Sequence, residues 1–213
     1  MEPKQLIAKR VAQEFKDGDV ANLGIGIPTM VTNYIPEGVS IILQAENGFL
    51  GAGPTPEVPD KDIVNAGGQP TSILPGGMTF DSAFSFCLIR GGHLDATVLG
   101  AMEVDEAGNL ANWWIPGKMM AGMGGAMDLV VGAKRVIVAM EHTAKGKPKI
   151  LKQCRLPLTA VGEVDLIVTE MAVFNYQPAL TLIELAPGVT VDQVKEATEA
   201  EFQISLNLTT MLV

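Results

Sequence analysis

Histidine and cysteine are nearly missing from this chain: two of each in 213 residues, His93 and His142, Cys87 and Cys154. Two histidines exclude a multi-histidine metal site within one chain, and no metal is expected. Two cysteines are too few for a disulfide framework and point to a reducing, cytoplasmic setting. No apolar run approaches the roughly 20 residues of a membrane span. Met1-Glu-Pro-Lys-Gln resembles neither an apolar signal segment nor an Arg-rich transit segment. Cationic residues are outnumbered, 15 Lys and Arg against 24 Asp and Glu, for a formal net charge of −9. Such a chain lacks the basic footprint of a nucleic-acid binder. What it has is apolar bulk. With 47% hydrophobic and 18% charged residues, it is no disordered chain. At this length roughly 70% of the unfolded surface can leave water. A soluble α/β enzyme is expected.

The order of short apolar runs and helical patterns predicts α/β layering. Pro3 fits a first helical turn, and Leu6, Ile7, Val11 and Phe15 recur near helical spacing before Asp17-Gly18. Val20 to Leu23 reads as a strand running into Gly24-Ile25-Gly26-Ile27-Pro28, with a second helix starting at Pro28. Val39 to Gln44 reads as a covered strand. Further strands are expected at Ile63-Val64, Thr97 to Leu99, Val136 to Met140, Leu166 to Val168 and Leu180 to Leu185. Helices are expected over Ser82 to Ile89, Ala126 to Val131 and Val191 to Phe202. Strands alternating with helices predict a layered, mostly parallel sheet flanked by helices. Without repeat or linker, residues 1–213 are expected to form a single domain. Gly and Pro gather at 48–59, 67–77 and 116–125, near the ends of apolar runs, where ligands bind in parallel α/β sheets.

Three motifs carry candidate chemistry. Gly24-Ile25-Gly26-Ile27-Pro28-Thr29 looks at first like a dinucleotide turn. Thr29 replaces the third glycine, however, and Pro28 removes a donor, so a tight turn against a substrate or loop is the better reading. Glu46, before Asn47-Gly48, is either an incidental carboxylate on a hairpin turn or a catalytic carboxylate at a strand mouth. An ionised Glu needs no base to attack an acyl carbonyl, only orientation and donors for the oxyanion. The stretch from Pro116 to Asp128 is either a connector with gap-filling methionines or an oxyanion nest at a helix start. Trp113-Trp114 reads as strand packing, with the two rings on opposite sides. His93 and His142 read as structural, and Lys145, Lys147 and Lys149 as a solvated turn.

Several segments together resemble the β subunit of family I CoA-transferases. They are Ala21-Asn-Leu-Gly-Ile-Gly-Ile-Pro28, Gln44-Ala-Glu-Asn-Gly-Phe-Leu-Gly51, Ile89-Arg-Gly-Gly-His93, Ala111-Asn112, Ile115-Pro-Gly-Lys-Met119, Gly122-Met-Gly-Gly-Ala-Met-Asp-Leu129 and Pro157-Leu-Thr159. The likeness is strongest to bacterial two-subunit enzymes acting on acetate, butyrate or acetoacetate. It extends to the C-terminal half of succinyl-CoA:3-ketoacid enzymes. The resemblance implies the CoA-transferase and sugar-phosphate isomerase type of fold. It implies ping-pong exchange of coenzyme A between an acyl-CoA and a short-chain or 3-oxo acid. Glu46 would be the nucleophile and would pass through a glutamyl-CoA thioester. Gly125 would be the backbone oxyanion donor, and Asn22, Gly24, Gly26, Asn47 and Gly124 would contact substrate. No cofactor would be bound permanently, since coenzyme A is itself a substrate. The implied partner is an α subunit in an α2β2 assembly, with self-association when the chain is alone. Two departures stand out. Ala45 replaces a Ser before the nucleophile, and Gly68 replaces a Lys of the succinyl-transferring branch.

Other readings predict different behaviour. In the β subunit of a succinyl-CoA:3-oxoacid CoA-transferase the acid would be a dicarboxylate. In an isomerase of the same fold Glu46 would be a base, with a phosphate cradle at Gly24 to Gly26, and no Lys or Arg is adjacent there. A non-catalytic binding subunit would tolerate loss of Glu46.

Overall fold

A computed structural model describes residues 1–118, 120 and 122–213. Its centre is a ten-stranded sheet, with strands β1 (Val20–Leu23), β2 (Ile42–Ala45), β3 (Phe49–Gly53), β4 (Ser72–Thr79), β5 (Ala96–Leu99), β6 (Val136–Ala139), β7 (Leu166–Val168), β8 (Ala172–Tyr176), β9 (Leu180–Leu185) and β10 (Gln203–Thr210). Their spatial order is β10-β9-β8-β7-β6-β5-β1-β2-β3-β4. From β7 to β2 every pairing is parallel, as is β9 with β10. Antiparallel pairings flank that block at β7-β8-β9 and β2-β3-β4. The mostly parallel sheet predicted from the sequence is present.

Side-chain alternation on the central strands explains the layering. Successive strand residues face opposite sides, and in β6 Val136 and Val138 enter one core while Ile137 and Ala139 enter the other. Helix α1 (Pro3–Ala12) covers the second face with Ile7, Ala8, Val11 and Ala12. Helices α3 (Ser82–Arg90), α4 (Ala126–Gly132) and α5 (Val191–Ala197) cover the first through Ile89, Leu129, Val130 and Val194. Between the two glycines of the β1 turn and Tyr34 lie α2 (Ile27–Met30) and a 3₁₀ turn at Val31–Tyr34. Arg10 ties α1 to β9 with two hydrogen bonds to Glu184, 2.6 and 2.7 Å long. No helix among the described residues is long and apolar enough to cross a membrane.

Several sequence expectations need correction. Ile63-Val64 forms no strand, only an isolated bridge from Val64 to Pro70. The strand expected from Val39 begins at Ile42, because Val39 is held in a turn by Pro36. The helix expected to reach Phe202 stops at Ala197. There Thr198 turns to an extended backbone, and the Glu199 and Ala200 amides both donate to Ile150. Trp113 and Trp114 lie outside any strand, and their ring centroids sit 5.7 Å apart instead of on opposite sides. The glycine clusters at 48–59 and 67–77 contain strands β3 and β4. Pro75 is tolerated because β4 is an edge strand whose residues 74–77 bulge opposite Gly51.

Candidate functional site

The candidate site lies where the ends of β1 and β2 meet the starts of two helices. β1 continues into Gly24, whose N–H donates to the Val98 carbonyl at 2.8 Å. A Cβ there would stand 3.1 Å from that oxygen, so the turn is drawn tightly against β5. β2 ends at Ala45, and residues 46–48 form the turn into antiparallel β3, closed by Gly48 N–H donating to Ala45 at 3.0 Å. The hairpin turn foreseen at Asn47-Gly48 is therefore real. Gly48 has φ +131°, and a Cβ on it would overlap the Phe80 carbonyl oxygen at 2.2 Å, so only glycine fits. Its own carbonyl accepts from Phe80 N–H at 2.8 Å.

Glu46 on that turn is not a freely solvated carboxylate. Its Oε2 accepts from Asn22 Nδ2 at 3.1 Å, and the residue is half-buried. The same Asn22 amide donates to Gln44 Oε1 at 2.9 Å and to the Gln44 carbonyl at 3.2 Å. On the other side lies Gly125, the residue preceding α4. A Cβ on it would be 3.2 Å from Glu46 Cγ and 3.4 Å from Phe86 Cζ. Among the described residues no hydrogen-bond acceptor meets the Gly125 N–H. Helix α3 brings Phe86 here because Asp81 caps it, accepting from Phe84 N–H at 2.8 Å. An Arg90–Asp128 pair of 2.6 Å then ties α3 to α4.

A cavity of about 370 Å³ opens beside Glu46, lined by Asn22, Gly24, Gln44 and Glu46 together with Asn65 and Thr71. Glu46 is the one charged side chain among the described residues that line it. The remaining sequence candidates lie around this cavity instead of in its lining. Asn47 donates to the Val64 carbonyl at 2.7 Å, pinning the turn to the following loop. Gly26 (φ +97°) and Gly124 (φ +55°) hold backbone conformations that favour glycine, with open space around them. Gly68 is exposed. Met119, within the Ile115 to Met119 segment, and Ala121 in the same loop lie outside the described residues.

Gln44, Ser85 and Phe86 went unnoticed in the sequence. A glutamine closing the run Ile41-Ile42-Leu43 was the available signal, since a buried polar residue demands partners. His142 is structural, as expected: its ring nitrogens lie 2.9 Å from the Thr169 and Thr198 hydroxyls. Burial, with a smaller push from the Lys149 charge, lowers its pKa to about 4. Lys145 and Gly146 form the turn joining the short strands Thr143–Ala144 and Lys147–Pro148, away from the cavity. Among the described residues no group of three His, Cys, Asp or Glu could hold a metal.

Comparison with known proteins bears on the family and the fold. The chain is 58% identical over 212 residues to the β subunit of the acetate CoA-transferase of Escherichia coli K12, covering 99% of this chain and 98% of that one. It is 52% identical to the B-type subunit of the succinyl-CoA:3-ketoacid coenzyme A transferase of Helicobacter pylori strain 26695, covering 95% and 100%. Among solved structures, the apoenzyme of an acyl-CoA transferase from E. coli O157:H7 matches with a TM-score of 0.79 at 27% identity. That match covers 99% of this chain, which spans 43% of the longer one. The thioester complex of that enzyme with CoA matches with a TM-score of 0.74 at 26% identity. Residues 4–197 match the family described as Coenzyme A transferase, and the chain belongs to that family of enzymes.

Proposed function

We propose that this chain is the Glu-bearing β subunit of a two-subunit enzyme that moves coenzyme A between an acyl-CoA and a short-chain carboxylic or 3-oxo acid. The observation that carries the proposal is the placement of Glu46. It sits at the end of a parallel strand, one oxygen held by Asn22, its stem against Gly125, its head at the cavity. The Glu46 carboxylate attacks the thioester carbonyl, expelling CoA thiolate and leaving an acyl–glutamyl anhydride. The thiolate then attacks the glutamyl carbonyl, releasing the first acid as carboxylate and forming a glutamyl-CoA thioester. An incoming carboxylate attacks that thioester to give a second anhydride, again releasing CoA thiolate. The thiolate attacks its acyl carbonyl, which yields the new acyl-CoA and restores Glu46. No net hydrolysis occurs, provided water is kept from the anhydride.

The Gly125 N–H serves as an oxyanion donor in these steps. Asn22, Gly24, Gly26, Asn47 and Gly124 make up the substrate-facing surround. CoA enters as a substrate, and its long tail supplies binding energy remote from the reacting carbon. The partner is an α subunit, in keeping with relatives that are themselves named as one of two kinds of subunit, in an α2β2 assembly. Residues 1–213 act as one domain, a reading supported by the sheet drawing strands from Val20 to Thr210. Acetate, butyrate and acetoacetate are preferred over succinate, because no cationic side chain among the described residues lines the cavity. Intact-mass and peptide analysis after mixing the assembled enzyme with acyl-CoA tests the mechanism. A CoA adduct on Glu46 is expected. An adduct elsewhere, or none during turnover, would sink it.

A further inference from the structure

Behind Glu46 runs a line of hydrogen bonds that can point in one direction alone. It starts at the Ala45 carbonyl, which can only accept, so Ser85 Oγ at 3.3 Å donates to it. Ser85 therefore turns a lone pair toward Gln44 and accepts from Gln44 Nε2 at 2.9 Å. That fixes the Gln44 amide with Oε1 toward Asn22, whose Nδ2 donates to it at 2.9 Å. The two N–H groups of Asn22 are then shared among Gln44 Oε1, the Gln44 carbonyl at 3.2 Å and Glu46 Oε2 at 3.1 Å, acceptors all, so the amide meets them with its donors. Asn22, Gln44 and Ser85 are 2%, 3% and 0% exposed, so water offers little substitute for a lost partner.

We propose that Gln44 and Ser85 are positioning residues for Glu46, acting through Asn22 to keep its amide donor, and not its carbonyl, against the carboxylate. A flipped Asn22 would set Oδ1 against Glu46 Oε2, and the repulsion would turn the carboxylate away from the acyl carbonyl. Held as it is, Oε2 is tied down and Oε1 is left to attack. The inference rests on Glu46 being the nucleophile proposed above.

The test uses the enzyme in its full assembly and follows both steady-state turnover and single-turnover formation of the Glu46 adduct. Ser85→Ala should lower kcat and the adduct rate about 10-fold, with KM for acyl-CoA changed less than about 2-fold, because aim is lost and not binding. Ser85→Thr, which retains the hydroxyl, should recover most of the rate. In an Asn22→Ala background, Ser85→Ala should cost nothing further, since both act through one amide. If Ser85→Ala does not fold, Gln44→Met, of similar shape but without hydrogen bonds, should show the same losses. Wild-type adduct rates in a folded variant, or additive losses with Asn22→Ala, overturn the positioning role and leave the nucleophile standing. Wild-type enzyme lacking any adduct on Glu46 overturns the parent reading instead.

Discussion

Gly125 and Glu46 are packed tightly: a Cβ on Gly125 would stand 3.2 Å from Glu46 Cγ, so the carboxylate stem would have to give way for any side chain there. The Gly125 φ of −83° is negative, so a side chain there does not demand a left-handed backbone. A substitution therefore displaces the carboxylate and Phe86 without straining the chain. Gly125→Val should lower kcat by about 10²-fold, the usual cost of an ångström-scale misplacement, while Tm moves by only a few degrees. Steady-state kinetics beside thermal unfolding checks this. An unchanged kcat would make the loop a mere connector.

Glu46→Gln keeps the shape of the side chain and an oxygen for the Asn22 amide, but it removes the carboxylate proposed as nucleophile. CoA exchange should vanish with the fold intact, and Glu46→Ala should behave alike. In the wild type, borohydride should inactivate only after acyl-CoA has been added, by reducing the glutamyl thioester. Substantial exchange by Glu46→Gln, its amide verified by mass spectrometry, contradicts the assignment.

Acid should weaken the fold through His142. Its folded pKa is lowered from 6.5 to about 4, chiefly by burial. In that window the unfolded chain holds the extra proton. The stability gained by keeping the ring neutral is thus complete above about pH 6.5 and drains away as pH falls to about 4. The full span is worth on the order of 3 kcal/mol. Thermal unfolding between pH 4 and 8 should show a shallower acid slope in His142→Gln than in wild type. Equal slopes count against the ring as the titrating group.

Separated from its partner, the chain should be folded, self-associated and nearly inactive, as expected of one subunit of the proposed α2β2 enzyme. Adding that subunit should restore exchange, with acetate, butyrate or acetoacetate faster than succinate. Sedimentation analysis and an exchange assay check both points. Full exchange by the isolated chain refutes the need for a partner, and a succinate preference refutes the acid preference drawn from the absence of cationic side chains among the described residues lining the cavity.

The parts legible in the sequence were those with local causes. β1, β5 and β6 announced themselves as apolar runs, and α1 through Pro3 and the spacing of Ile7 and Val11. Glu46 could be singled out only as one of two readings, because Asn47-Gly48 marks a turn whether or not the carboxylate has work to do. The contacts that favour the proposed role come from Asn22, 24 residues earlier, and Gly125, far later, and no local pattern reports such a meeting. β4 was hidden by Pro75-Gly76-Gly77, which reads as a loop until β3 supplies its partner. The end of α5 was hidden because the backbone partner of Glu199 and Ala200 is Ile150, on a remote strand.

Gly48 locks the Glu46 turn to Phe80 from two sides, by a hydrogen bond and by contact too close for any Cβ. The backbone that carries Glu46 is thereby held still, and the aim of its side chain is left to Asn22 and Gly125. On the proposed mechanism donor and acceptor acids take turns in the same space in front of Glu46, one leaving before the next can enter. An acid too bulky for the space beside Asn22 should then be turned away at the door, since the turn that carries Glu46 cannot step back to admit it.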